Sequence, residues 1–124
     1  MYRDKMIKIG VISILLCLLI GGVSASQTEQ WNVGVTFTAG ATTNDLAFGV
    51  HPDGTDGFDN GLDVPAPPAP PGATVDSYFP LADMFFDRLY TDIRGLIDAD
   101  HPDRTWDLNV KSTTEQMTLS WNPQ

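Results

Sequence analysis

From Trp31 to Ala39 the chain alternates without a break: Trp31, Val33, Val35, Phe37 and Ala39 are large or apolar, and Asn32, Gly34, Thr36 and Thr38 stand between them. Successive side chains of an extended strand point to opposite faces, so this period gathers the apolar groups on one side, which a helix would not do. The pattern returns at Leu46, Phe48 and Val50, at Trp106, Leu108 and Val110, and at Met117, Leu119 and Trp121. Four half-buried strands follow, separated by Gly, Asp and Pro clusters. That combination predicts an all-β chain, an antiparallel β-sandwich with one wet face. Trp31, Trp106 and Trp121 each fall in phase with their strand's apolar residues, which assigns all three to the core.

Between the second and third of these strands the chain changes character. Residues 51–63 are turn chemistry, with Asp53-Gly54, Asp56-Gly57 and Asn60-Gly61 pairs that tolerate tight backbone reversals. Pro65, Pro67, Pro68, Pro70 and Pro71 then make residues 64–72 a polyproline strap between two parts of one domain. Residues 81–97 are ambiguous by period: Leu81, Phe85, Leu89, Ile93 and Ile97 suit a helix, yet Phe85, Leu89 and Ile93 also suit one face of a strand. Pro102 stops any helix from running through the polar stretch 98–105.

The first 25 residues read as a cleavable signal peptide. A short stretch with Arg3, Lys5 and Lys8 leads into an apolar run from Ile9 to Ile20, too short for a comfortable span of the bilayer. Val23 and Ala25 are the small residues ahead of a cut that leaves Ser26 first. A lipid anchor does not fit, because Cys17 lies inside the apolar run behind Leu15 and Leu16. Residues 26–124 are then one small domain with no cysteine, secreted or at the cell surface, with no membrane span after cleavage. Its 15 acidic side chains against 4 basic ones exclude nucleic acid as a partner, since a phosphate backbone needs the opposite sign.

Several segments together, Phe48-Gly49, Thr55-Asp56-Gly57-Phe58-Asp59, Leu62-Asp63, the proline strap, Tyr78-Phe79, Thr91-Asp92-Ile93-Arg94 and Leu119-Ser120-Trp121, resemble a secreted β-sandwich module. Such modules occur in large extracellular proteins of bacteria and archaea, often near dockerin, fibronectin-like or sorting domains. The resemblance covers residues 31–121 and carries fold and location but no site. It implies that residues 86–94 are a strand. It also implies an incomplete sandwich, a truncated frame or a fragment completed by a partner, since such modules run on past the strand of Trp121. Five or six strands with no covering helix would indeed leave an edge and part of an apolar face open.

The chemistry on offer is thin. Asp53, Asp56, Asp59 and Asp63, among glycines, are candidate ligands for Ca²⁺, which takes carboxylates from flexible loops, although the spacing is not that of an EF-hand. The bland alternative is that they cap turns through the backbone. His51 and His101 both precede prolines in turns, and Glu29 and Glu115 lie near strand ends, so no catalytic set is legible and no enzyme is expected. The readings that survive are a non-catalytic structural or adhesive module of the cell exterior and, as an alternative, a Ca²⁺-assisted carbohydrate-binding module. An extracellular protein or a polysaccharide is the expected partner. A structural clamp is also expected: Arg94, on its strand, pairing with Asp56 or Asp59 and holding the glycine-rich loop to the sheet.

Overall fold

The computed structural model describes residues 29–123, and the expected signal peptide lies outside them. The described residues form strands and loops only: β1 (Trp31–Ala39), β2 (Thr42–Val50), β3 (Val64–Pro65), β4 (Val75–Pro80), β5 (Arg88–Arg94), β6 (Asn109–Ser112) and β7 (Thr118–Pro123). The sheet runs β6-β4-β5-β2-β1-β7, with β3 paired to β5 off that path. β1 and β2 are a hairpin in register from Trp31↔Val50 to Ala39↔Thr42. Gly40 opens its two-residue turn at φ 58, a conformation that twists the strands the right way and costs glycine nothing.

One expectation changes at β5. The sheet is mixed rather than wholly antiparallel, because β5 lies parallel to β2, from Ala47↔Thr91 to Val50↔Arg94. A parallel neighbour needs a long crossover, and residues 51–87 supply it. The strap is not merely a linker either: Val64 and Pro65 pair with Thr91 and Leu89 across a register shift, and Ala66 N–H donates to Arg88 O at 3.0 Å. On β5, Leu89, Asp92 and Ile93 are all buried, so both faces of this strand are covered.

β4 pairs with the start of β5 only at Phe79↔Leu89 and Pro80↔Arg88, while its other half pairs with β6 from Val75↔Ser112 to Tyr78↔Asn109. It also returns over the hairpin. Thr74 Oγ1 donates to Ala39 O, Thr74 N–H donates to Thr42 Oγ1 at 3.0 Å, and Ser77 N–H donates to Asn44 Oδ1 at 3.2 Å. The sheet therefore curls into a half-barrel around Val35, Phe37, Ala39, Leu46, Val75, Phe79 and Leu89. Burying each of the larger aliphatic or aromatic groups stabilises the fold by about 1.5–3 kcal/mol.

The strand expected at 106–110 begins only at Asn109, because Trp106 serves a different purpose. Its ring lies 5.1 Å from Phe48 and 5.8 Å from Trp31, and Phe48 in turn lies 6.0 Å from Phe79, an aromatic chain closing one end of the core. Trp31 and Trp106 are half-buried, but Trp121 stands 69% exposed on the edge strand β7, against the expectation that it is core.

Candidate functional site

The loop from His51 to Asp63 is built almost entirely by its own polar groups. His51 N–H donates to Arg94 O at 2.9 Å, carrying the β2–β5 ladder one residue further. Gly54 then crosses the end of β5 so closely that a Cβ there would lie 2.4 Å from Arg94 O, which excludes any other residue. Asp59 accepts from Thr55 N–H at 2.6 Å and from Thr55 Oγ1 at 2.8 Å. Its own N–H donates to Asp63 Oδ2 at 2.7 Å. Asp63 Oδ1 accepts the N–H of Ile93 at 2.7 Å and so fastens the loop to β5. Burial raises the Asp63 pKa, opposed by those two backbone hydrogen bonds.

The four aspartates thus face different partners. Asp53 is paired loosely with His51 at 3.9 Å and is 87% exposed, Asp56 meets Arg104, and Asp59 and Asp63 hold backbone. Among the described residues no three His, Cys, Asp or Glu side chains gather as a metal would need, so the candidate Ca²⁺ set of Asp53, Asp56, Asp59 and Asp63 is not assembled. The turn-capping alternative describes Asp59 and Asp63.

The expected clamp of Arg94 on Asp56 or Asp59 is not formed. Arg94 does not reach Asp56 or Asp59; it pairs with Asp92, Nη2 to Oδ2 at 2.8 Å and Nε to Oδ2 at 3.2 Å. Its Nη1 donates to Thr105 O at 2.8 Å and its guanidinium lies 5.3 Å from the Trp106 ring centre. Trp106 Nε1 donates to Asp92 O at 3.2 Å, so Arg94 and Asp92 together hold the 95–108 connection against the sheet. The arginine that ties the glycine-rich loop is Arg104, whose Nη1 donates to Asp56 Oδ1. Spacing had a usable signal for the first pair: residues two apart on a strand share a face, which puts Asp92 beside Arg94. Nothing local marked Arg104, because the pair joins residues 48 apart in sequence.

Between these two connections lies an open cleft of about 670 Å³, lined by Pro52, Thr55, Asp56, Leu96, His101 and Arg104. His101 is occupied too. Asp98 Oδ1 accepts its backbone N–H at 2.7 Å and lies 3.1 Å from its Nδ1. The Asp98 pKa is lowered, chiefly by that backbone hydrogen bond. Asp56, Asp98 and His101 are therefore engaged in fixing the walls of the cleft, while Arg104 keeps a buried Nε without a partner.

The apolar groups are displayed instead. In the β4–β5 connection, Asp83 Oδ1 accepts from Phe85 N–H at 2.8 Å and Phe86 N–H at 3.1 Å, and Leu81 N–H donates to Asp87 O at 3.0 Å. Phe86 stacks on Phe58 with ring centres 4.3 Å apart. This pinned loop holds Met84 and Phe85 in solvent at 89% and 81% exposure. No family model, curated protein or solved structure matches the chain.

Proposed function

We propose that this chain is a non-catalytic structural or adhesive module that works at the cell exterior after residues 1–25 are cut away as a signal peptide. The observation that carries the reading is the division of labour in its loops. The carboxylates of Asp59, Asp63 and Asp98 are spent on backbone N–H groups and that of Asp56 on Arg104, whereas Met84 and Phe85 are presented on a fixed turn. Exposed aromatic and methionine side chains on a rigid frame are what protein contact surfaces use as anchors. A sandwich architecture belongs to the same reading: the curled sheet is one layer, and a second layer would pack on its apolar face. An external protein or polysaccharide would be the partner.

The test has two parts. Expressed in its own cells, the protein should be recovered outside the cytoplasm with Ser26 as its first residue. Its retention on isolated cell envelopes should then drop when Met84 and Phe85 are both replaced by serine, with the unfolding midpoint little changed. Recovery inside the cell starting at Met1, or undiminished retention of the double variant, would overturn the proposal.

A further inference from the structure

β7 closes one side of the sheet and leaves its own outer side open. It pairs with β1 from Val33↔Pro123 to Thr38↔Thr118, and among the described residues no strand pairs with its other side. Residues directly opposite in a ladder share a face, so Trp121, opposite Val35, and Leu119, opposite Phe37, belong to the apolar face of β1. Val35 and Phe37 are 9% and 4% exposed, but Leu119 and Trp121 are 48% and 69% exposed. The core face thus extends one strand beyond its cover.

The opposite edge of the sheet, β6, is guarded in the usual way: it is four residues long and carries Lys111. β7, Thr118-Leu119-Ser120-Trp121-Asn122-Pro123, carries no charge at all. Its surroundings do. Glu115 stands two residues before Met117 on the approach to β7, and the described residues as a whole carry 15 acidic side chains against 4 basic ones. Of the four basic side chains in the described residues, Arg88, Arg94 and Arg104 are held by Asp76, Asp92 and Asp56, leaving Lys111 on the far edge.

We propose that β7 is a strand-addition site for an extended segment of a protein partner, with apolar side chains at every second position and Lys or Arg at its ends. The partner's backbone continues the ladder, its alternate side chains cover Leu119 and Trp121, and its cations meet Glu115 and the acidic surface around the edge. A second copy of this chain fits less well, since two β7 edges would bring two strongly acidic molecules together with no cation at the junction. The inference does not depend on where the protein works.

The probe is a fluorescent synthetic peptide of about ten residues, alternating valine and threonine with two lysines at each end, titrated with the full chain and read by anisotropy. Saturable binding is expected, with slowed hydrogen exchange at amides of residues 118–123. Leu119→Lys should weaken binding about tenfold or more, while Lys111→Glu on the other edge leaves it unchanged. A peptide of the same composition with its valines in one block should bind at least about tenfold more weakly. Should Leu119→Lys fail to fold, Leu119→Thr makes the same comparison with a good strand former. Absence of binding overturns the proposal, as does equal binding of the blocked peptide, which would be attraction of charge alone. Equal binding of a folded Leu119 variant, or self-association through β7 without peptide, also overturns it.

Discussion

Asp63 and Asp98 carry out the same task in two different places. Each accepts backbone N–H groups and pins a connection that follows a strand: Asp63 takes those of Asp59 and Ile93, and Asp98 takes those of Asp100 and His101. The inner tie is buried, with Asp63 at 6% and its neighbour Asp92 at 2% exposure, whereas the Asp98 side chain is 56% exposed. Burial turns the same chemistry to opposite effect. Desolvation lifts the Asp63 pKa above the ordinary aspartate value, while the Asp98 carboxylate, kept in water, is held below it by its hydrogen bonds. A carboxylate in the inner region is thus indispensable as an acceptor and costly as a charge. In the outer region it is neither.

The largest expected break of that contrast is Arg94→Ala. It would strand the Asp92 carboxylate inside the fold, and losing one partner of a buried pair costs about 3–5 kcal/mol, with the lower end expected because Arg94 is 21% exposed. Urea unfolding of the variant measures it. Asp63→Ala comes next, at about 2–3 kcal/mol, since the N–H groups of Asp59 and Ile93 lose their acceptor. Asp63→Asn should recover part of this by returning one acceptor oxygen. In the outer region Arg104→Ala should cost less than Arg94→Ala, because the partner left behind, Asp56, is 63% exposed and turns to water, and the loss is mainly the packing of the Arg104 side chain, itself 9% exposed. Equal unfolding midpoints for Arg94→Ala and Arg104→Ala would erase the distinction between the two regions.

The smallest effects sharpen the comparison through pH. A raised folded pKa means that Asp63 favours the fold most below the ordinary aspartate value, and that this contribution is lost as pH rises through its raised pKa. Asp98, with a lowered pKa, contributes above the ordinary value and loses that contribution as pH falls through its folded pKa. Carboxyl carbon chemical shifts followed over an acid titration should place Asp63 above and Asp98 below the ordinary aspartate value. Asp98→Asn should flatten this pH dependence by lowering the midpoint slightly near neutral pH, where the charged carboxylate contributes, and should leave it almost where it was at low pH. Two superimposed titration curves would show that burial does not separate the residues as described.

Much of the fold was legible because one face of each main strand is apolar. β1 lies where Trp31–Ala39 alternate and β5 lies within the expected 86–94, while β2 and β7 contain most of the expected stretches but run beyond them, from Thr42 and to Pro123. β4 was missed although Val75, Ser77 and Phe79 alternate, because the middle position of its buried face is a serine, 0% exposed and satisfied by Asn44. β3 was missed because prolines argue against a strand, yet on a short outer strand Pro65 need not donate to the ladder. The candidate site was less legible. The expected Arg94 clamp is not formed, Asp56 being held by Arg104 instead, and the aspartates that were candidates for a shared cation are turned to separate partners.

What the sequence by itself determined about this protein is its periodicity and its punctuation: extended strands with one apolar face, a glycine and aspartate loop, and a proline segment that no helix can hold. Those follow from local sterics and from side chains alternating along one strand. Only the tertiary structure decided which strands are neighbours, that β5 runs parallel to β2, which arginine meets which aspartate, and that Trp121 stands in water while Phe37 of the same face does not. Each of those depends on what lies across the sheet or over it, and burial and pairing are properties of neighbours far away along the chain.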